Sequence, residues 1–338
     1  MPTPLLSLIV PTRDRAESLA RFLDSIAATA SDLSRIEIVL VVDDDAIPTV
    51  ADERLRILLV PGPPGRTMGS LNADGYAASH GDFVMLLNDD VVVRTPGWDE
   101  RILAAARHFP DGIVLVHVND TLMRQHLCTF PLVSRLLCQR LGGICPREYL
   151  RYCIDDHIED IFNLLAFLGE RRTIYLPEVV FEHTNAVEVG DGVREYHADA
   201  RILALDEPRF LAMFDERKRL ALDLLDTITP QGPSRESREA TLATLTDPRS
   251  LRVPTRQIVW STIPPPGRLS LMAARLWRCW RERGVRGLLR AATRRVLRQR
   301  GISSSDSVRG CHVAAGSSVG SSVSGTSSRP DSRSRSSW

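Results

Sequence analysis

The stretch Ile36-Glu37-Ile38-Val39-Leu40-Val41-Val42-Asp43-Asp44-Asp45 decides the fold. Its first seven residues are almost all β-branched or aliphatic, as in a strand buried on both faces of a parallel sheet, and the run stops at three carboxylates. Comparable segments lie on either side. Upstream, Leu5 to Val10 is a short apolar run ended by Pro11 and followed by Thr12-Arg13-Asp14-Arg15, after which Leu19, Phe22, Leu23 and Ile26 recur at helical spacing. Downstream, Leu55 to Val60 predicts a strand closed by Pro61-Gly62-Pro63-Pro64-Gly65, and Leu71 to Ala78 predicts a helix. Asp82 to Leu87 then predicts another strand, which runs into Asn88-Asp89-Asp90 before Val91 to Val93. Strands alternating with helices at these intervals predict an α/β fold, a mostly parallel twisted sheet with helices on both faces. Ligands of such sheets sit beyond the carboxyl ends of the strands. Here those ends carry Asp14, Asp43, Asp44, Asn88, Asp89 and Asp90.

The pattern continues with a helix from Asp99 to Arg107 and a strand from Gly112 to Val116, while 119–150 shows no clean period and reads as loop with short helices. Asp155-Asp156 open a helix through Ile158, Ile161, Phe162, Leu164, Leu165 and Leu168, with Gly169 just past its end. Thr173 to Leu176 and Val179 to Phe181 read as strand pieces around Pro177 that deliver Glu182-His183. A helical stretch from Ala198 to Leu225 is expected to break at Pro208. The expected organisation is a catalytic α/β domain over 1–228, a Pro/Ser/Thr-rich linker over 229–266, a basic amphipathic helical segment over 267–301 and a disordered Ser/Gly/Arg-rich tail over 302–338.

Composition narrows the function classes. The 338 residues carry 43 basic and 42 acidic groups, an ordinary globular balance that conceals an Arg-dense C-terminal end. No run of about 18 uncharged apolar residues exists, and the N-terminus lacks the n-region of a signal peptide. The expected location is the cytoplasm, with the basic segment suited to peripheral contact with the inner face of an anionic membrane. The six cysteines include no C-x-x-C pair and are read as reduced thiols. Gly62, Gly65 and Gly69 form neither a dinucleotide fingerprint nor a P-loop, and no recognition motif for nucleic acid is present.

Clustered carboxylates at strand ends repel one another, and a divalent cation relieves that repulsion. Mg²⁺ or Mn²⁺ takes carboxylate oxygens together with water and substrate phosphates, so Asn88-Asp89-Asp90 suits a metal and a diphosphate. Asp43 or Asp44 on the neighbouring strand is placed to accept from a base or a sugar hydroxyl. Arg13 and Arg66 are candidates for phosphate oxygens.

Leu8-Ile9-Val10-Pro11-Thr12-Arg13-Asp14-Arg15 resembles the opening of family 2 glycosyltransferases of the GT-A fold. The likeness continues through Val41-Val42-Asp43-Asp44, Leu71-Asn72-Ala73-Asp74-Gly75 and Leu87-Asn88-Asp89-Asp90-Val91, the last resembling a D-x-D motif with Asn88 in place of its first Asp. The resemblance covers about residues 5–200. It implies a nucleotide-sugar site of Pro11, Thr12, Arg13, Asp14, Asp43, Asp44, Arg66, Asn72, Asn88 and Asp89, with Asp90 and His183 holding Mn²⁺ or Mg²⁺. It also implies a base among Asp156, Asp155 and Asp160, with Asp156 placed first and Asp160 and Glu159 as its rivals. The expected function is a metal-dependent, inverting glycosyltransferase that moves a sugar from a nucleoside-diphosphate sugar to a glycan or lipid-linked acceptor. Two alternatives remain at this level. One is an inactive GT-A-like scaffold or peripheral membrane protein; the other is a sugar nucleotidyltransferase, whose usual Gly-rich first loop is missing here.

Overall fold

A computed structural model of the chain describes residues 5–43, 52–184, 187–189, 193–195, 199–248 and 257–260. Asp44, Asp45, Cys279, Cys311, the expected basic segment 267–301 and the tail 302–338 lie outside the described residues.

Strands β1 (Leu6–Thr12) and β2 (Ile36–Asp43) are buried along their whole length, as their continuous apolar runs require. They pair in parallel from Leu6↔Ile36 to Thr12↔Val42. β3 (Arg56–Gly62) extends the sheet in parallel beyond β2, and β4 (Phe83–Leu86) flanks β1 in parallel on the other side. β1 passes through Pro11 instead of ending there. Its β4 partner ends at Leu86 opposite Ile9, so Pro11 and Thr12 pair only with β2. Beyond Ile9, β1 and β4 therefore diverge, and Asn88-Asp89-Asp90 fills the gap.

The sheet continues through β7 (Leu132–Ser134), β6 (Leu115–Asn119), β8 (Thr173–His183) and β11 (Ile258–Val259). β7 runs antiparallel between β4 and β6. The segment read as loop thus contains a strand, whose three residues are too few to show a period. β5 (Val91–Val93) pairs antiparallel with the far end of β8, and β9 (Val187–Val189) pairs with β10 (Val193–Glu195) in a separate ribbon.

Alternate residues of the central strands feed two cores. Leu6, Leu8 and Val10 pack with α1 (Ala16–Thr29) and α3 (Trp98–Ala106). Ile9, Val39 and Val41 face α2 (Met68–Ala78), α4 (Arg135–Leu141), α5 (Ile154–Phe167), α6 (Ala200–Ala212), α7 (Phe214–Ile228) and α8 (Arg235–Ala243). The predicted break at Pro208 is displaced. Pro208 lies inside α6, and the chain turns instead at Met213 between α6 and α7. α8 and β11 occupy parts of the span read as a linker.

β8 is one strand where two pieces were predicted. The ladder with β6 slips between Val118, opposite Leu176, and Asn119, opposite Val180. This bulge absorbs Pro177, which has no amide to donate, and Asn119 Nδ2 donates to the Pro177 carbonyl at 3.1 Å. The bend carries Phe181-Glu182-His183 away from β6 and onto β5, with His183 opposite Val91.

Arg217 of α7 is fully buried and donates to Asp160 of α5 at 2.6 Å and to the Phe210 carbonyl at 2.7 Å. Its guanidinium stacks 3.9 Å from the Phe210 ring centroid. Asp160, expected as a rival base, is instead an interior partner that clamps α5 to α7. Arg217→Met would leave that carboxylate buried without its cation and should cost about 3–5 kcal/mol. Urea unfolding of the variant measures this; a loss below about 1 kcal/mol would mean that apolar packing replaces the pair.

Candidate active site

The turn after β1 ties two strand ends together. Thr12 Oγ1 donates to Asp89 Oδ2 at 2.9 Å, and Arg13 Nε donates to the Asp43 carbonyl at 2.8 Å while its guanidinium pairs with the Asp43 carboxylate. Asp14 is exposed with φ of 46° and points the chain back toward α1. Arg15 Nη1 then reaches Asp89 Oδ1 at 3.1 Å and Asp90 Oδ2 at 3.3 Å. Four consecutive residues therefore join the end of β2 to the loop after β4.

Asp89 has both oxygens engaged by Thr12 and Arg15, whereas Asp90 divides its own between Arg15 and His183, whose Nε2 lies 3.0 Å from Asp90 Oδ1. The β5–β8 ladder fixes this contact, because His183 sits opposite Val91, the residue after Asp90. Thr184 closes it by donating its amide and hydroxyl to the Asp90 carbonyl, each at 2.8 Å. The two neighbouring acids move in opposite directions. Burial raises the Asp89 carboxyl above the usual range, and the Thr12 and Arg15 bonds only partly offset it. Burial acts on Asp90 in the same sense, but the His183 bond and charge together with Arg15 outweigh it and hold that carboxyl low. Asp90 is thus the more acidic of the two.

A carboxylate oxygen and an imidazole nitrogen 3.0 Å apart have the spacing of adjacent corners of an octahedron with bonds of roughly 2.1 Å, so Asp90 and His183 fit two positions around Mg²⁺ or Mn²⁺. Among the described residues no group of three or more His, Cys, Asp and Glu is spaced to hold a metal. The remaining positions would fall to water and phosphate oxygens.

On the β2 side, the Arg66 amide donates to Asp43 Oδ1 at 3.1 Å. Its guanidinium donates to the Val42 carbonyl at 2.7 Å and to Asp74 Oδ2 at 2.9 Å. Arg13 and Arg66, expected at phosphate oxygens, are thus both engaged around Asp43, and Arg15 is the arginine that faces the Asp89-Asp90 side. Asn72 is buried in α2 with its amide oxygen unpartnered among the described residues, and Asn88 is half-buried beside Asp89.

Asp155 and Asp156 occupy the first turn of α5 behind Cys153, whose φ of 64° makes it a left-handed N-cap without a side-chain bond. Both acids are half-buried, and Asp155 Oδ1 accepts the Asp156 amide at 3.0 Å. One turn deeper, Glu159 accepts from the Cys128 amide at 3.2 Å and from Gln257 Nε2 at 3.3 Å, and Gln257 Oε1 lies 3.2 Å from His117 Nε2. Cys128, Cys138, Cys145 and Cys153 form no disulfide among the described residues. A cavity of about 480 Å³ lies away from the strand ends, behind α2, with Tyr76, Ile144, Cys145, His157 and Leu220 in its wall. It includes none of the acidic strand-end residues.

The mostly parallel sheet thus gathers its acidic strand ends around the turn after β1. Residues 7–133 match the glycosyl transferase family 2 model. An uncharacterised protein, y4gI, of Sinorhizobium fredii is 31% identical in a 130-residue alignment that covers 32% of this chain and 14% of that protein. Among solved structures, S. aureus TarS is 12% identical with a TM-score of 0.46, the match covering 67% of this chain and 44% of TarS. The mannosyltransferase PcManGT from Pyrobaculum calidifontis, solved with GDP-Man and Mn²⁺, is 17% identical with a TM-score of 0.44, covering 88% of this chain and 89% of that one. The chain spans 14% of the curated relative and under half of TarS.

Burial, with a smaller contribution from Asp155, pushes Glu159 up from 4.5 to about 7. Between those values the folded chain holds a proton that the unfolded chain has released, so stability falls as pH rises through this window, by up to about 3 kcal/mol. Denaturant midpoints at pH 5 and pH 8 should differ in that sense, and Glu159→Gln should reduce the difference. An unchanged pH profile in the variant would mean that Glu159 is already ionised at pH 5.

Proposed function

We propose that the protein is a metal-dependent, inverting glycosyltransferase that uses a nucleoside-diphosphate sugar. The observation that carries this reading is the convergence of Asp43 with the Asp89-Asp90-His183 group through the single turn Thr12-Arg13-Asp14-Arg15. In this reading Asp43, flanked by Arg13 and Arg66, accepts from the base or ribose, and Pro11, Thr12, Asp14, Asn72, Asn88 and Asp89 complete the donor side. Arg15, partly exposed beside Asp89 and Asp90, adds positive charge next to the diphosphate. Asp90 and His183 hold the divalent ion, which supplies stabilisation of charge on the leaving diphosphate.

Asp156 acts as base, with Asp155 beside it. It takes the proton of the acceptor hydroxyl as that oxygen bonds to the anomeric carbon, and the bond from that carbon to the nucleoside diphosphate breaks on the opposite face. Asp160 has no part in this step, because its carboxylate is engaged by Arg217. The acceptor is a glycan or a lipid-linked acceptor, and the basic segment 267–301 brings the domain to an anionic surface. No helix among the described residues is long and apolar enough to cross a membrane.

Binding of UDP, GDP and TDP measured with and without Mn²⁺ tests the donor site. Metal-dependent binding of at least one nucleotide, abolished by Asp90→Ala, is expected; no binding under any condition would favour the inactive scaffold. With a competent donor, Asp156→Asn should lower turnover about 10²–10⁴-fold and leave donor affinity nearly unchanged. Full turnover in that variant removes Asp156 from the role of base.

A further inference from the structure

Residues 146–152 lead from the loop after α4 into α5, and they are gripped from two directions. On one side the first turn of α2 docks on them. The amides of Met68 and Gly69 donate to the carbonyls of Leu150 and Tyr149 at 2.9 and 3.0 Å, and Thr67 Oγ1 donates to the Arg147 carbonyl at 2.6 Å. These bonds satisfy amides that a helix start leaves open. The approach is backbone against backbone: a Cβ at Gly69 would overlap the Pro146 carbonyl oxygen and crowd Arg147. Arg147 adds an ion pair to Asp74 of α2 at 2.7 Å.

On the other side stands Asp206, in the middle of α6 and fully buried. Its Oδ1 accepts the Leu150 amide and its Oδ2 the amides of Arg151 and Tyr152, all at 2.9 Å, while Arg209 reaches Oδ1 at 3.1 Å. Three successive amides converging on one carboxylate form an anion nest whose charge-assisted bonds are stronger than neutral ones. The Tyr152 hydroxyl accepts the Asp199 amide at 2.8 Å, so the start of α6 grips the same segment.

The two helices joined in this way are the ones that carry the two halves of the site. α2 begins two residues after Arg66, whose amide binds Asp43, and α5 begins two residues after Tyr152 and bears Asp155 and Asp156 in its first turn. We infer that Asp206 is a positioning residue. By clasping residues 150–152 it makes 146–152 a rigid strut that sets the spacing between the Asp43–Arg66 end of α2 and the acidic start of α5. The clasp stands on hydrogen bonds alone; its consequence for turnover rests on the proposed transfer reaction.

Hydrogen exchange of the full-length protein and of Asp206→Asn tests the strut. The variant puts an amide NH₂ where backbone amides need an acceptor. Peptides covering 149–153 and 66–70 should both exchange at least tenfold faster, while those of β1 and β2 stay as in the parent. Gly69→Ala, which strikes the strut from the opposite side, should give the same paired pattern and decides the matter if Asp206→Asn does not fold. Acceleration confined to the mutated side in either variant, with the other side at the parent rate, overturns the inference.

With a competent donor, Asp206→Asn should lower kcat tenfold or more while donor KM changes less than threefold; an unchanged kcat overturns the positioning role. If the exchange pattern is as expected but no sugar nucleotide is turned over by the parent, the strut stands and the proposed reaction is what fails.

Discussion

The hydroxyl of Thr12 holding the Asp89 carboxylate is the contact on which the site depends, because it ties the end of β1 to the loop after β4. β1 pairs with β2 to its last residue but loses β4 after Ile9, and the acids after β4 fold back toward it. The parallel sheet forces strand ends of one polarity to the same edge, and a turn of four residues is long enough to touch both of its neighbours. Two arginines in that turn keep the acids from repelling one another, one serving the β2 side and one the β4 side. A site of this kind exists only because buried strands, which have no polar side to show, concentrate their chemistry at their tips.

His183 arrives by a separate route. Straight pairing with β6 would carry the end of β8 past Asn119. The bulge around Pro177 instead turns it onto β5, and the register of that short ladder sets an imidazole 3.0 Å from Asp90. A proline in a strand is usually a weakness in the ladder. Here it redirects one and brings His183 to Asp90. The acidic start of α5 is fixed differently again, by packing behind it: Arg217 on Asp160 and Gln257 on Glu159 anchor the helix body in the core.

What could be read from the residues follows from which forces are local. The runs Ile36–Val42 and Leu5–Val10 declare themselves because a strand covered on both faces is apolar save where a buried polar group finds a partner, as Ser7 and Glu37 do in each other at 2.6 Å, and the carboxylates after them stand out by contrast. β7 and β11 escape because strands of three and two residues are held by their neighbours and have no period of their own. Nothing in Thr12-Arg13-Asp14-Arg15 says that Arg13 turns to Asp43 and Arg15 to Asp90; the divergence of two strands decides it. Asp160 looked like a possible base in its own helix, yet its partner lies 57 residues away in α7. Asp206 resembled any acid on an amphipathic helix, and its role shows only when the 150–152 amides are seen around it.

The claim that acidic strand ends form one cation and nucleotide site is tested most directly by a crystal structure of the protein grown with a nucleoside diphosphate and Mn²⁺, with anomalous scattering locating the metal. The account predicts a manganese peak bonded to Asp90 and His183, diphosphate oxygens completing its shell, and the nucleoside lying toward Asp43. Manganese bound elsewhere, or a nucleotide that leaves Asp43 and Asp90 untouched, would contradict it.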